Sequence, residues 1–180
     1  NNKLENIDVT KNISLKELVC SDNNINNINL NNTILTNLSA SGNALLNIDI
    51  KSLTNLTNLN LDYNSIVSID LSKNNKLKDF SISRNKIKNI QLSNLIDLES
   101  LNLDGNPLES EALNLNSNSS LAYVSSIDTN LDVIMFKNYT QYTNSNISFG
   151  NNIKCIEVDN PSRSRAWDVQ WSPGLENNYL

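Results

Sequence analysis

Histidine is absent from the 180 residues, and glycine, proline, cysteine and methionine are scarce at four, three, two and one. Without an imidazole there is no Ser-His-Asp or Cys-His nucleophile and no zinc site built on histidine. The glycines, Gly42, Gly105, Gly150 and Gly174, compose neither G-x-G-x-x-G nor a Walker loop, which excludes those phosphate cradles. No stretch approaches the ~20 apolar residues of a membrane-spanning helix, and Val133-Ile134-Met135-Phe136 is only a short burial signal. Basic charge is also short. Fourteen Lys and Arg stand against nineteen Asp and Glu, a net charge of −5 with a pI near 4.7, which argues against general nucleic-acid binding. The one basic run, Lys73, Lys76, Lys78, Arg84, Lys86 and Lys88, reads as a solvated face. There is neither a starting Met nor a charged segment followed by an apolar one. Any secretion signal is therefore expected to have been removed or to lie outside this sequence.

What is present in excess is asparagine, roughly a fifth of the residues, a composition often associated with disorder or aggregation. Its placement says otherwise. Leu35, Leu56, Leu77 and Leu98 follow one another at intervals of 21, and aligning on them exposes a unit: Leu56-x-x-Leu59-x-Leu61-x-x-Asn64-x-Ile66-x-x-Ile69-x-Leu71. The next unit repeats the offsets with Leu77, Phe80, Ile82, Asn85, Ile87, Ile90 and Leu92. The same phase runs back through Leu15, Leu18, Cys20, Asn23 and Leu35, Leu38, Ala40, Asn43, and forward through Leu98, Leu101, Leu103, Asn106. A fixed period of this length marks a repeat array.

The motif Leu-x-x-Leu-x-Leu-x-x-Asn-x-Leu resembles the leucine-rich repeat over about residues 2 to 134, three quarters of the chain. With its 21-residue units and Ile69-Asp70-Leu71-Ser72 return, the variant is similar to internalin-like proteins and to secreted surface proteins of Bacteroidetes. The resemblance implies a predominantly β, α/β-type solenoid: a right-handed coil with a parallel concave sheet, few or no long helices and a C-terminal cap. Ile153-Lys154-Cys155-Ile156-Glu157-Val158-Asp159, with Trp167 beyond it, resembles the segment that closes such arrays. In those segments a second cysteine often follows the tryptophan. Glu176-Asn177-Asn178-Tyr179 contains none, which leaves Cys155 free or waiting for a residue beyond this sequence.

The physics of a repeat reaches the same architecture. Each x-Leu-x-Leu-x segment alternates as a strand does, sending Leu59 and Leu61 inward and their neighbours outward. One coil cannot bury its apolar edge, so each coil covers the next. The recurring asparagine sits where the chain turns inward and backbone groups lose their sheet partners. A primary amide supplies two donors and two acceptors, so Asn23, Asn43, Asn64, Asn85 and Asn106 are expected to form a structural ladder. The return from Ile66 to Leu77 is too short for a long helix and predicts extended or 3₁₀ turns, and a gently curved array.

Departures from the period mark the ends. Leu98 to Leu121 is 23, so the segment from Leu108 to Leu113 is read as a longer excursion with room for one helical turn. The next unit has Thr129 where asparagine is expected and Ser126 at an inward position. The expected division is a repeat array over residues 1–134, followed by an irregular last coil, a terminal strand at Ile153, Ile156 and Val158, and a cap over 135–180. Trp167 and Trp171, four apart, are read as covering the open core. At the other end Asn2-x-Leu4-x-x-Ile7-Asp8-Val9 matches the second half of a unit, so the chain is expected to start within a repeat, with more repeats or a disordered segment upstream. Cys20 takes an inward position and Cys155 an outward one, several coils apart, so the two are not expected to pair.

Candidate sites lie between the inward leucines. Asp62 and Asp104 share a column two coils apart, roughly 9–10 Å at strand spacing, too far for a retaining glycosidase pair and marginal for an inverting one. Hydrated surface acids are the simpler reading, and no D-x-D-x-D-G calcium loop is present. Sequons such as Asn138-Tyr139-Thr140 and Asn146-Ile147-Ser148 follow from the composition. The outward residues Glu17, Asn60, Asp62, Tyr63, Asp79, Arg84, Asn102, Asp104 and Tyr123 form a small, polar, acidic face. Tyr63, Arg84 and Tyr123 are its large anchors, of the types that dominate protein-binding hot spots. Three uses stay open: holding a protein partner, hydrogen-bonding a glycan with Tyr63 as a stacking platform, or forming a rigid spacer. The leading expectation is a secreted or surface-attached bacterial binding module, monomeric, without catalysis, cofactor, metal, nucleic-acid partner or membrane insertion.

Overall fold

Alternation inside each x-Leu-x-Leu segment gives each coil one short strand, and the 21-residue period lays successive strands side by side. The computed structural model describes residues 2–31, 34–109, 112–136, 146–150, 153–158 and 168–170. It is a parallel β-solenoid of about seven turns, with no helix among the described residues. Among the described residues thirteen strands occur in chain order: β1 Asn6–Asp8, β2 Glu17–Val19, β3 Asn27–Asn29, β4 Asn37–Ser39, β5 Asn58–Asn60, β6 Asp79–Ser81, β7 Ser100–Asn102, β8 Ala112–Asn114, β9 Tyr123–Ser126, β10 Val133–Phe136, β11 Asn146–Phe149, β12 Cys155–Val158 and β13 Asp168–Gln170. The principal sheet is eight-stranded, in the order β13-β11-β9-β7-β6-β5-β4-β2, all parallel. Its register is the repeat itself: Leu38 pairs Leu59, Leu59 pairs Phe80, Phe80 pairs Leu101 and Leu101 pairs Val124.

Those paired residues form one buried column, and Cys20, Ala40, Leu61, Ile82 and Leu103 form a second beside it. From the return side Ile25, Leu45, Ile66, Ile87 and Leu108 complete a core that no solvent reaches, each at 0% exposure. Cys20 behaves as a small hydrophobe there, and burial pushes its thiol pKa up. Both cysteines are free.

The return side is built differently along the chain. β1 and β3 pair near the start, and β12-β10-β8 form a three-stranded sheet toward the end. The middle returns use tight turns instead, with the N–H groups of Leu53, Leu56, Asn74, Leu77, Leu95 and Leu98 donating to carbonyls three residues back. The Ile-Asp-Leu-Ser return has a local cause. Oδ1 of Asp8, Asp49 and Asp70 accepts the backbone N–H two residues on, at 2.9–3.1 Å, the side-chain turn that aspartate favours.

Three expectations change toward the C-terminus. Ala112–Asn114 is a strand, not part of a helical turn. β10 runs straight across residue 134, and Asn146–Phe149, expected in an irregular coil, continues the principal sheet against β9. Ile147 and Phe149 are buried, and the Phe149 ring meets that of Phe136 at 6.2 Å. The terminal strand at Ile156 exists but belongs to the return sheet, pairing Ile134. Cys155 is accordingly half-buried opposite Val133, not outward on the principal face. The reason is phase: Ile153 and Ile156 fall 22 residues after Leu131 and Ile134, which are return positions. Trp167 and Trp171 lie outside the described residues.

Candidate functional site

Because the register is exact, the outward residues form rows that cross the sheet. The first is Glu17, Asn37, Asn58, Asp79, Ser100, Tyr123 and Asn146. The second is Val19, Ser39, Asn60, Ser81, Asn102, Ser125 and Ser148. Glu17, Asn60 and Asp79 line a shallow depression of about 270 Å³ over β2, β4, β5 and β6 that reaches Ser100 of β7, and among the described residues its lining contains two carboxylates and no cation. Tyr123 begins beyond it, opposite Ser100. Asn146 and Ser148 extend both rows, and the sequence carried a signal for them: Asn146 follows Tyr123 by 23, as Tyr123 follows Ser100.

Several of these side chains brace the coils as well as facing water. Asp62 Oδ1 accepts from Ser81 Oγ and from the Ser83 backbone N–H, both at 2.6 Å. Asp104 Oδ1 repeats this two coils on, accepting from Ser125 Oγ and the Ile127 N–H at 2.7 Å. Asn60 and Asn102 Oδ1 accept the N–H groups of Asp62 and Asp104 at 3.0 Å. Asn58 Nδ2 donates to Asp79 Oδ2 at 2.6 Å. The two aspartates are thus tied to neighbouring strands, an arrangement for fixing a surface more than for moving protons.

Behind the face stands the asparagine ladder. Asn85 Nδ2 donates to the carbonyls of Ile82, Ser83 and, one coil back, Leu61, while its Oδ1 accepts the Ile66 N–H at 2.9 Å. Asn43, Asn64 and Asn106 repeat the pattern. Thr129 holds the part a hydroxyl can, its Oγ1 donating to the Ser126 carbonyl at 2.9 Å. A second set of buried amides was not anticipated. Asn74 Nδ2 donates to the Ile50 and Leu53 carbonyls, and Asn118 Nδ2 to those of Leu92 and Leu95. Leucine holds the same position at Leu53 and Leu95, so the repeat alternates there and its pattern hides the amides.

Immediately before each ladder residue the chain takes a left-handed turn. Asp22, Gly42, Tyr63, Arg84, Gly105 and Asp128 all have φ between 52° and 63°. They form a rim along the face. The N–H of each of the first five donates to the carbonyl preceding the next rim residue, at 2.6–2.9 Å. Tyr63 is 59% exposed, and the Arg84 guanidinium carbon lies 5.4 Å from its ring centroid, a cation–π contact. The basic run around it is balanced by the following coil, with Lys78 on Glu99 at 2.7 Å and Lys88 on Glu109 at 2.8 Å.

These features define a leucine-rich repeat solenoid. No protein-family model matches the chain, and no curated protein matches it. Solved structures do. An internalin, InlF of Listeria monocytogenes, aligns with TM-score 0.70 at 18% identity, over 92% of this chain and 50% of that one. The functional domain of InlJ from the same organism aligns at 0.61 and 21%, over 93% and 51%. A leucine-rich repeat protein of Leptospira interrogans aligns at 0.62 and 18%, over 91% and 50%. The chain spans about half the length of these structures. InlJ is described as including a cysteine ladder; in this chain Cys20 is the one cysteine of its inward column, beside Ala40, Leu61, Ile82 and Leu103. Among the described residues no helix is long and apolar enough to cross a membrane.

Proposed function

We propose that this chain is a secreted or surface-attached bacterial binding module, acting as a monomer, that holds a protein partner against the outward rows of its principal sheet. The observation that carries the reading is the contrast between a braced polar surface and three large side chains, Tyr63, Arg84 and Tyr123, set upon it. A surface whose Asp62 and Asp104 are locked by hydrogen bonds to the next strand meets a partner with little ordering cost, and Tyr and Arg are the residue types that concentrate binding energy. Glu17, Asp79, Asn60 and Asn102 supply polar contacts around them. The triple variant Tyr63→Ala, Arg84→Glu, Tyr123→Ala tests this: a partner recovered with the parent chain should be lost from the variant at equal folded content. Unchanged capture would remove the reading. The depression between Glu17 and Asp79 favours a second reading, a glycan held by its amides and carboxylates, and a glycan array without hits would dismiss it.

A further inference from the structure

The rim that precedes the asparagine ladder has a composition the fold does not require. A left-handed residue costs little as glycine and is tolerated as aspartate, whereas a bulky side chain with positive φ is a true outlier. Gly42 and Gly105 show that glycine serves at this position in coils on either side, and Asp22 and Asp128 stand at the two ends. Tyr63 and Arg84 occupy the middle, where the backbone disfavours them. Strain retained in this way points to use of the side chains. They lean on one another, so the guanidinium is held by the ring rather than by a carboxylate. The aspartates that precede Tyr63 and Gly105 on this edge, Asp62 and Asp104, have their Oδ1 atoms tied to Ser81, Ser83, Ser125 and Ile127. Among the described residues Arg84 forms no ion pair. The flanking glycines keep the pair clear: a Cβ on Gly105 would lie 3.2 Å from Arg84 Cγ.

Read along the solenoid, the rim is anion, gap, aromatic, cation, gap, anion. Resting on the protein-binding reading above, we propose that this rim selects an extended partner segment carrying a carboxylate for Arg84, with a basic residue on each side for Asp22 and Asp128. The spacing follows from geometry. Coils stack at ~4.8 Å and an extended chain rises ~3.3 Å per residue. Arg84 to Asp128 is two coils, about 10 Å or three residues; Asp22 to Arg84 is three coils, about 14 Å or four residues. The matching segment is basic-x-x-x-acidic-x-x-basic, running along the array and across the strands. An all-basic segment would be drawn by the overall charge of −5 but would meet Arg84 with the wrong sign.

The test uses two labelled synthetic peptides with lysine at both outer positions, one with glutamate and one with lysine at the central position, each titrated against the parent chain and the Arg84→Glu variant. The parent should prefer the glutamate-centred peptide by about fivefold or more, as a direct charge contact gives, and Arg84→Glu should reverse the order. Amide shifts on the parent should centre on Asp22, Tyr63, Arg84 and Asp128. Arg84→Gly, which places here the residue its neighbouring coils already use, keeps the fold and should abolish the preference. No binding, no preference, or a preference that survives Arg84→Gly overturns the rim proposal. Shifts confined to Glu17, Asn60 and Asp79 would overturn it too, while leaving the wider sheet-face reading standing.

Discussion

The ladder and the rim are adjacent residues of the same turn, one facing in and one facing out, and they differ in everything but spacing. The inward column reads Asn23, Asn43, Asn64, Asn85, Asn106 and Thr129; the outward one reads Asp22, Gly42, Tyr63, Arg84, Gly105 and Asp128. Inside, the choice is made by unpaired backbone groups that only a primary amide can serve on both coils at once. Outside, the backbone asks only for tolerance of positive φ, and glycine would satisfy it in every coil. Uniformity therefore marks what the fold dictates, and departure from the cheapest residue marks what it leaves to recognition.

The comparison breaks most visibly on the inner side. Asn85→Ala should cost about 3 kcal/mol or more, because it strips partners from buried backbone groups that water does not reach. Asn58→Ala, on the sheet face, should stay within about 0.5 kcal/mol. Urea melts of the two variants decide it, and equal midpoints would deny the ladder its role. On the rim, Gly42→Ala should cost about 1–2 kcal/mol, since a Cβ there meets a left-handed backbone. It would also come within 2.6 Å of Asp22 Oδ1. Smaller again is the difference between two truncations of one tyrosine. Tyr63→Gly and Tyr63→Ala both remove the ring, but only glycine relieves the backbone, so the glycine variant should melt about 2–4 °C above the alanine variant. Identical melting temperatures would mean that Tyr63 is not strained.

Much of this division was legible beforehand. The period, the inward leucines, the five ladder asparagines and the outward rows all follow from counting, because a solenoid makes spatial neighbours of residues one period apart. What escaped the count has a physical cause in each case. Asn74 and Asn118 alternate with Leu53 and Leu95, so no single letter marked the position. The strand at Asn146–Phe149 was hidden because it follows β9 at the 23-residue spacing of the coil before it and not at the 21-residue period of the array, and Ile156 was given to the wrong sheet because an alternating segment carries no label of the side it lies on. The left-handed rim was visible only as Gly42 and Gly105. Tyr63 and Arg84 share their turn, but a tyrosine or an arginine announces no positive φ.

A last difference between the two sides concerns acid. The ladder carries no titratable group, while the return turns are tied by aspartates. The Ser72 hydroxyl and backbone N–H, with Lys51 beside them, hold the Asp70 carboxyl down at about 2, and Thr10 lowers that of Asp8. A carboxylate whose folded pKa lies below its ordinary value of 3.8 stabilises the fold above that value. The contribution fades as pH falls toward the folded pKa. Stability should therefore decline between about pH 4 and pH 2, and Asp70→Asn should flatten part of that slope, its small deficit showing at neutral pH and vanishing toward pH 2. The effect is small because Asp70 and Lys51 are both exposed, where solvent screens the pair. Asn85→Ala, by contrast, should shift the whole curve down without changing its slope. If Asp70→Asn left the acid limb as steep as before, the side-chain turn would be a consequence of the return and not one of its supports.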